Sequence, residues 1–242
     1  MAAALDRLCL GDLGRPTPRA TRSRKTGIMS LDIDIQGLHT PDRTLMANTQ
    51  LHVASGTIHT LMGPSGCGKS SLLLGLCGLL RPPMTLQAKV QLNGVAVDDW
   101  PTHQKRIGLL FQDDWLFEHM TVWDNLLYAV PRGRSAARQS AVEEALAAIE
   151  LQDHAHAMPA TLSGGQRTRV ALMRALLAQP LAVLLDEPFA RLDGPLRARV
   201  RERVFALLRE RGVPALLVTH DAQDIADVSL VTQLDRPFDP PE

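Results

Sequence analysis

The sequence predicts an α/β fold: a mixed sheet core with an antiparallel β ribbon and a smaller α-helical lobe. Three observations support this prediction. Short, continuously apolar runs such as 181–185 are typical of parallel strands covered on both faces. They alternate with helical patterns such as 135–149 and 164–177, which is the order of a parallel α/β sheet. Alternating apolar residues at 31–38 and 50–54 predict an antiparallel ribbon at the start.

The remaining elements follow from local patterns taken in chain order. Asn93-Gly94 lies between two short apolar stretches and is the strongest two-residue hairpin signal. Ser163 is a good N-cap for the helix at 164–177, and Gly212 is a good C-terminal stop for a charged helix. The predicted elements are strands at 58–62, 90–92, 95–97, 107–111, 181–185 and 215–218, and helices at 71–80, 135–149, 164–177 and 196–211.

The 242 residues allow one large α/β domain with a small lobe. We expect a single domain over 29–242, in which 29–112 and about 178–242 form the sheet core and about 113–177 form the helical lobe. Residues 1–28 lack periodicity and predict a disordered arm. They are either absent from the native protein, with translation starting at Met29, or a basic tail. Such a tail is more often simply solvated than in contact with lipid head groups.

Composition excludes some classes of partner and location. Lys+Arg and Asp+Glu both number 26, so net charge gives no support for nucleic-acid binding. No window approaches the roughly 18 uninterrupted apolar residues of a membrane span. Cys9, Cys67 and Cys77 form no paired framework, which fits a reducing compartment, and the N-terminus lacks a secretory signal. The cytoplasm is therefore expected.

A glycine-rich turn lies between the apolar run 58–62 and the helical pattern at 71–80. Glycine adopts backbone angles closed to other residues, so successive N–H groups can converge on one anion at the start of a helix. The spacing matches G-x-x-x-x-G-K-[ST], in which Lys69 reaches the β- and γ-phosphates and Ser70 binds Mg²⁺. We predict a phosphate site rather than an ordinary turn. Its residues are Gly63, Pro64, Ser65, Gly66, Cys67, Gly68, Lys69, Ser70 and Ser71.

Two carboxylates follow the apolar run 181–185. Ligands of open α/β sheets bind at the carboxyl ends of strands, so we expect Asp186 to meet the Mg²⁺ that Ser70 holds. Glu187, one residue further, is expected to turn toward the γ-phosphate and to orient or deprotonate the attacking water. A solvated acidic pair is the alternative, which the preceding apolar run and the phosphate turn disfavour.

A second anion site is predicted at Leu162-Ser163-Gly164-Gly165-Gln166. A serine cap and two glycines at a helix start present N–H groups to an anion without adding a charge. A chance match to this pentapeptide is expected in fewer than about one in a thousand chains of this length.

The chain resembles the ATP-binding-cassette (ABC) ATPases over about residues 31–225. Six motifs in a family-like order carry this resemblance: the turn at 63–70, Gln112, LSGGQ at 162–166, AVLLDE at 182–187, Ala190-Arg191-Leu192-Asp193 and His220. The resemblance implies a P-loop NTPase fold of the RecA-like type, with ATP and Mg²⁺ as ligands and ATP hydrolysis as the reaction.

The resemblance also implies roles for individual residues. Lys69, Ser70, Gln112, Asp186, Glu187 and His220 would form one half of an ATP site, in which Ser70, Gln112 and Asp186 ligate Mg²⁺ and Gln112 senses the γ-phosphate. Glu187 would be the general base, and His220 would contact the γ-phosphate. Ser163, Gly164, Gly165 and Gln166 would act on the ATP of a second subunit, with Asp193 across the interface. A homodimer is therefore expected.

Three features depart from the family pattern or raise a question. The family usually stacks adenine on an aromatic residue of the first ribbon, where this chain has only His39, which is equally well a surface turn residue. We therefore expect weak discrimination between ATP and GTP. Arg167-Thr168 replaces the glutamines of many relatives, and Arg167 could contact a phosphate or the interface. Cys67 could make the ATPase sensitive to alkylation, although a small filler residue is the favoured interpretation.

The segment Trp115 to Val122 looks like the part of importer ATPases that receives a helix of the membrane permease, although part of it must form the core of the lobe. The chain is most similar to the short thiamine-, iron- and polyamine-type importers. The resemblance implies permease subunits and an external substrate-binding protein as partners, at the cytoplasmic face of the cell membrane. The alternative is a soluble ABC ATPase in repair or cluster assembly.

Overall fold

The computed structural model describes residues 29–111 and 114–234. Within these ranges two sheets and a group of helices form a mixed α/β fold, which confirms the predicted fold class. The strands are β1 Leu31–His39, β2 Thr44–Val53, β3 Ile58–Met62, β4 Thr85–Leu92, β5 Val95–Ala96, β6 Ile107–Leu110, β7 Ala182–Asp186, β8 Ala215–Thr219 and β9 Val231–Gln233. The helices are α1 Lys69–Leu76, α2 Thr102–Lys105, α3 Val122–Ala129, α4 Ser135–Ala148, α5 Gly164–Leu177 and α6 Gly194–Glu210.

The antiparallel sheet has the strand order β2-β1-β4-β5. Strand β1 pairs with β2 on one side and with β4 on the other, so that Leu31 is opposite both Val53 and Leu92. The sequence predicts the ribbon and the Asn93-Gly94 hairpin as separate pairs. The structure joins them into one sheet because β4 begins at Thr85, well before the apolar stretch that predicted it.

The parallel sheet has the strand order β6-β7-β8-β3-β9, and its strands all run in one direction. All five residues of β7 and of β8 are buried, as continuous apolar runs predict. Because the strands are parallel, β3, β7 and β8 end at the same edge of the sheet, at Met62, Asp186 and Thr219 respectively. The turn at 63–70 follows that same edge, so the sheet assembles the site.

Three helices, α3, α4 and α5, pack against each other and share a buried apolar cluster with α6 and one face of the parallel sheet. The other face of that sheet packs with α1 and the antiparallel sheet. Helix α3 was not predicted, and it begins at Val122, the last residue of the segment interpreted as a partner surface. Thr121 caps α3 by accepting a hydrogen bond from the backbone N–H of Asp124.

Most predicted boundaries agree with the structure within two residues, and α5 agrees at both ends. Larger differences occur at the start of β2, at Thr44 rather than residue 50, and at the start of β4, at Thr85 rather than residue 90. Helix α1 ends at Leu76 rather than at residue 80. The short elements α2 and β9 were not predicted. Among the described residues, no helix is both long and apolar enough to cross a membrane.

Candidate functional site

The turn at 63–70 links β3 to α1 and contains two glycines in the left-handed region. The φ angle is 83° at Gly66 and 94° at Gly68. A Cβ atom at Gly68 would lie 2.9 Å from Leu38 Cδ2 and 3.0 Å from Leu45 Cδ1. Glycine is therefore required at Gly68 both by the backbone angle and by the close packing of the turn on the antiparallel sheet.

Lys69 is buried, and its ammonium lies inside the turn. The Nζ atom donates to the carbonyl oxygens of Gly63 and Pro64, each at 2.8 Å. It also lies 3.8 Å from Cys67 Sγ. Cys67 itself is only 1% exposed, which favours the packing role expected of it over a reactive one.

A cavity of about 420 Å³ opens in front of this turn and the N-terminus of α1. The free N–H groups of a helix start and the adjacent ammonium make it suitable for an anion. Two polar residues from the parallel-sheet edge, Glu187 and His220, face the turn across the cavity. Its lining residues are Thr40, Arg43, Leu45, Ser65, Gly66, Gly68, Lys69, Ser70, Ser71, Met84, Glu187 and His220.

Asp186 is the last residue of β7 and is 7% exposed. Burial raises the pKa of its carboxyl group, and the neighbouring Glu187 acts in the same direction. A hydrogen bond with the Ser70 side chain and the charge of Lys69 oppose that rise in pKa. Asp186 and Ser70 thus lie together behind the turn, where the sequence predicts both.

This pair of oxygen ligands fits Mg²⁺, which prefers carboxylate, hydroxyl, phosphate and water oxygens. Within the described residues, no group of three or more His, Cys, Asp or Glu side chains could hold a metal by itself. A Mg²⁺ ion at Ser70 and Asp186 would therefore take further oxygens from a bound nucleotide and water. Gln112, the third expected ligand, lies outside the described residues.

Glu187 follows β7 in a left-handed conformation, with a φ angle of 46°. Its backbone N–H donates to the carbonyl of Val218 at 3.0 Å, which fixes the turn against β8. Its Oε1 atom lies 2.8 Å from His220 Nδ1. Because an ionised carboxylate has no proton, the imidazole donates this hydrogen bond. The carboxylate therefore has a fixed orientation toward the cavity, as a general base requires.

The pentapeptide at 162–166 forms the start of α5 in the predicted capping arrangement. Ser163 Oγ accepts from the Gln166 backbone N–H at 3.3 Å, and Gln166 Oε1 accepts from the Ser163 backbone N–H at 2.8 Å. These two bonds make a capping box. Since its oxygen faces Ser163, the Gln166 amide nitrogen is directed to His154 Nε2, 3.1 Å away. Ser163 and Gly164 remain exposed.

The structure brings Lys69, Ser70, Glu187 and His220 together but does not add the pentapeptide to them. Among the described residues that line the cavity, none belongs to 162–166. Asp193 is likewise absent from that lining; it is exposed and caps α6 by accepting from the Leu196 backbone N–H at 3.1 Å. One chain thus presents two separate helix starts whose free N–H groups suit an anion.

The part of the cavity away from the phosphate turn has no aromatic ring among its described lining residues. Arg43, Leu45 and Met84 occupy this part. His39 does not line it, because its ring lies over Gly37 and its Nδ1 atom hydrogen-bonds with Thr44 Oγ1 at 3.0 Å. The surface-turn interpretation of His39 agrees better with this placement than adenine stacking does.

Arg167 is directed into its own lobe rather than to a phosphate. Its Nη2 atom donates to Glu118 Oε1 at 2.7 Å and its Nε atom to Asp114 Oδ2 at 3.4 Å. The hydrogen bond with Glu118 is the main reason that the pKa of Arg167 is raised, and Asp114 adds to the effect. Thr168 Oγ1 donates to the other oxygen of Asp114 at 2.8 Å.

An apolar groove of about 290 Å³ lies beside Asp114 and includes the exposed rings of Trp115 and Tyr128. Asn125, fully buried in α3, shapes the adjoining loop. Its side-chain amide donates to the carbonyls of Phe117, Met120 and Thr121 at 3.0–3.1 Å and accepts from the Phe117 N–H at 2.9 Å. Arg174 of α5 donates to the Trp115 carbonyl at 2.7 Å.

Sequence reasoning missed Asp114 and Arg174. A polar residue beside an aromatic segment was the only available signal for Asp114, since its partners lie on α5 and in the loop before α6. Arg174 gave no signal beyond its position on an otherwise apolar face of α5.

Comparison with known proteins gives one family. Residues 46–190 match the model of the family described as ABC transporter. The chain is 48% identical over 196 residues to an uncharacterized ABC transporter ATP-binding protein, YnjD, of Escherichia coli K12, covering 80% of this chain and 90% of that protein. It is 40% identical over 189 residues to an Fe(3+) ions import ATP-binding protein, FbpC, of Rhizobium etli, covering 77% of this chain. The chain spans 52% of the length of that iron-import relative.

Two solved structures of the ATP-binding cassette MJ0796 have the same fold. One is a dimer in a post-hydrolysis state bound to ADP and Pi, with a TM-score of 0.71, 26% identity and coverage of 85% of this chain and 96% of that chain. The other is a dimer described as a bacterial ABC transporter cassette, with a TM-score of 0.72, 27% identity and coverage of 85% and 94%.

Proposed function

The chain belongs to the ABC transporter family, and from this premise we propose that it binds and hydrolyses ATP to drive import through a membrane permease. The observation that carries the hydrolytic part is the cavity that unites Lys69, Ser70, Glu187 and His220. These side chains supply a phosphate cradle and a fixed general base within one space.

In this proposal the triphosphate lies along the turn at 63–70. The backbone N–H groups of the turn and the start of α1 bind the β-phosphate. The Lys69 ammonium moves from the carbonyl oxygens of Gly63 and Pro64 to the β- and γ-phosphates. Glu187 orients the attacking water and accepts its proton on the carboxylate. His220 holds that carboxylate in place through Nδ1.

Ser70 and Asp186 would hold the Mg²⁺ ion that accompanies the nucleotide. When bound, the ion neutralises charge on the β- and γ-phosphates. The hydrogen bond between Ser70 and Asp186 supports this assignment, because it places the two oxygen ligands side by side. Gln112, which precedes the described Asp114 by two residues, is proposed as a further ligand and as the sensor of the γ-phosphate.

The catalytic unit is proposed to be a head-to-tail homodimer. Ser163, Gly164, Gly165 and Gln166 of one copy would face the γ-phosphate held by the other, and Asp193 would lie across the interface. Exposure of Ser163, Gly164 and Asp193 and the dimeric form of both MJ0796 cassettes support this proposal. A monomer has half of each site and should hydrolyse ATP slowly.

The segment Trp115 to Val122 and the apolar groove beside it are proposed to receive a permease helix. Two aromatic side chains there, Trp115 and Tyr128, are each 67% exposed. Exposed aromatic surface of this kind is typical of partner sites. The iron-import function in the name of FbpC supports import as the direction, which would place a substrate-binding protein outside the membrane and this chain, peripherally, on its cytoplasmic face.

Co-purification with the permease tests the transport part of this proposal. Tagged full-length protein is isolated from detergent-solubilised membranes of its own host, alongside the variant Tyr128→Glu, and membrane proteins are identified by mass spectrometry. We expect a permease with the wild type and its loss with Tyr128→Glu, while both proteins hydrolyse ATP equally when purified alone. Recovery of soluble repair or assembly proteins and no permease would contradict the transport role.

A further inference from the structure

Asp114 is a buried carboxylate at the point where two loops and a helix meet. Its side chain is 4% exposed. Oδ1 accepts from Thr168 Oγ1 at 2.8 Å, and Oδ2 accepts from Arg167 Nε and from Arg191 Nη1, each at 3.4 Å. The donors come from the first turns of α5 and from the loop 190–193 before α6. One carboxylate thus connects both of these elements.

The two connected elements also touch each other directly. A Cβ atom at Gly165 would lie 3.1 Å from the carbonyl oxygen of Arg191 and 3.1 Å from Leu192 Cδ2. The start of α5 therefore rests on the backbone of the loop 190–193. Ser163 and Gly164 on one element and Asp193 on the other are exposed next to this contact.

We propose that Asp114 is a positioning residue that holds Ser163–Gly165 and the loop 190–193 in one arrangement, the one that binds the nucleotide of a second subunit. This inference rests on the proposed head-to-tail dimer and names a residue that controls its assembly. Asp114 does not itself line the nucleotide cavity. It acts through Thr168, Arg167 and Arg191.

The physical reason is the cost of leaving a buried carboxylate without its partners. A charge in this position is tolerated only while hydrogen bonds and opposite charges surround it. Any rotation of α5 relative to the loop 190–193 would separate Asp114 from a donor on one of the two elements. The pair of elements therefore favours a single relative position, and the surface offered to a second subunit is preorganised.

The experiment compares Asp114→Asn with Glu150→Gln, both introduced into full-length Glu187→Gln protein. Glu150 accepts two hydrogen bonds of 3.0 and 3.2 Å from Arg199. Glu150→Gln is therefore the same acid-to-amide change, made at an exposed carboxylate that also pairs with an arginine but lies away from the junction. Three quantities are measured: thermal unfolding, affinity of the monomer for a fluorescent ATP analogue, and the dissociation constant of the ATP-dependent dimer by sedimentation.

We expect Asp114→Asn to raise the dimer dissociation constant by about ten-fold or more. Affinity of the monomer for the fluorescent analogue should stay within about two-fold, because Asp114 lies outside the nucleotide cavity, and Glu150→Gln should leave both constants within about two-fold. A general loss of structure would weaken nucleotide binding and dimerisation together, so separation of the two is the signature of a positioning role. Should Asp114→Asn lack a cooperative unfolding transition, Thr168→Val removes the shortest of the three bonds and is expected to show the same separation.

Two results would overturn the inference in different ways. If the Glu187→Gln parent dimerises with ATP and Asp114→Asn dimerises equally well, Asp114 has no positioning role, while the proposed dimer stands. If the parent itself stays monomeric with ATP, the head-to-tail assembly is wrong and the role of Asp114 is wrong with it.

Discussion

At the scale of single residues, the nucleotide cavity differs from its family pattern in the part expected to hold the base. Arg43, Leu45 and Met84 line it, and His39 is directed elsewhere. Aliphatic and guanidinium contacts discriminate less between adenine and guanine than an aromatic ring stacked on the base together with polar groups that hydrogen-bond to the edge of the base. We therefore predict comparable kcat/KM values for ATP and GTP, measured by phosphate release.

An added ring should locate this base site. Thr40 lines the cavity, whereas Pro41 in the same turn is exposed and does not. Thr40→Tyr is expected to tighten ATP binding by about five- to ten-fold, since stacking of a base on a ring contributes about 1–3 kcal/mol. Pro41→Tyr is the matched control and should leave affinity unchanged. Equal affinities for the two variants, measured by calorimetry, would place the base elsewhere.

A second prediction for a single residue concerns Cys77, which is 2% exposed beside α1. Burial raises the pKa of its thiol to about 12, although the charge of Lys105 acts in the opposite direction. At pH 8 only about one thiol in ten thousand is then ionised, and the thiolate is the reactive form. Mass spectrometry after iodoacetamide treatment should find Cys77 unmodified in folded protein and modified in urea. Equal labelling in both conditions would show that the site is open.

Residues with local signals were predictable, and residues with distant partners were not. The phosphate turn, the Ser163 cap and the acidic pair at 186–187 are contiguous, so their spacing alone identified them. Asp114 was missed because its donors Thr168 and Arg191 are 54 and 77 positions away in the chain. No local pattern in the sequence indicates such a pairing.

At the scale of secondary-structure elements, α3 and the loop before it form the side of the chain that is proposed to bind the permease. Asn125 joins them through bonds to three loop carbonyls and one loop N–H, and it is fully buried. Asn125→Ala should lower the free energy of unfolding by about 2–4 kcal/mol, because it leaves several buried polar groups without partners. Urea unfolding measures this change.

The matched control for that change lies on the same helix. Asp124 is exposed, so Asp124→Asn should alter the free energy of unfolding by less than about 0.5–1 kcal/mol. The affinity of folded Asn125→Ala for ATP should be unchanged, since α3 does not line the nucleotide cavity. A loss of stability no larger than that of Asp124→Asn would show that Asn125 does not hold the loop.

Elements with strong periodicity were predicted well, whereas those formed by pairing were not. Helix α5 and strands β7 and β8 carry their own apolar patterns, and the structure places them within one residue of expectation. Strand β4 extends to Thr85 because β1 offers it a pairing edge, and β9 forms beside β3 for the same reason. Helix α3 was not predicted because its eight residues are too few for an apolar pattern at helical spacing to stand out.

At the scale of the whole molecule, two helix starts suited to anions face solvent on one chain. The first is the start of α1, which adjoins the cavity at the turn 63–70, with Glu187 and His220 across that cavity. The second is the start of α5 at Ser163, which lies outside that cavity. In the proposed function the chain supplies a general base but only half of each site, so it would require a second copy, and ATP itself would join the two copies. This assembly is the central claim.

The most direct test is sedimentation of the Glu187→Gln variant with and without ATP. Removing the carboxylate abolishes the general base but leaves the cavity and the Ser163 helix start intact, so bound ATP should persist. We predict that the variant is a monomer without nucleotide and in the presence of ADP. In the presence of ATP we predict a stable dimer that contains two bound ATP molecules. Ser163→Arg in the same variant should prevent the dimer while leaving ATP binding to the monomer intact. A Glu187→Gln protein that binds ATP and remains monomeric would contradict the account.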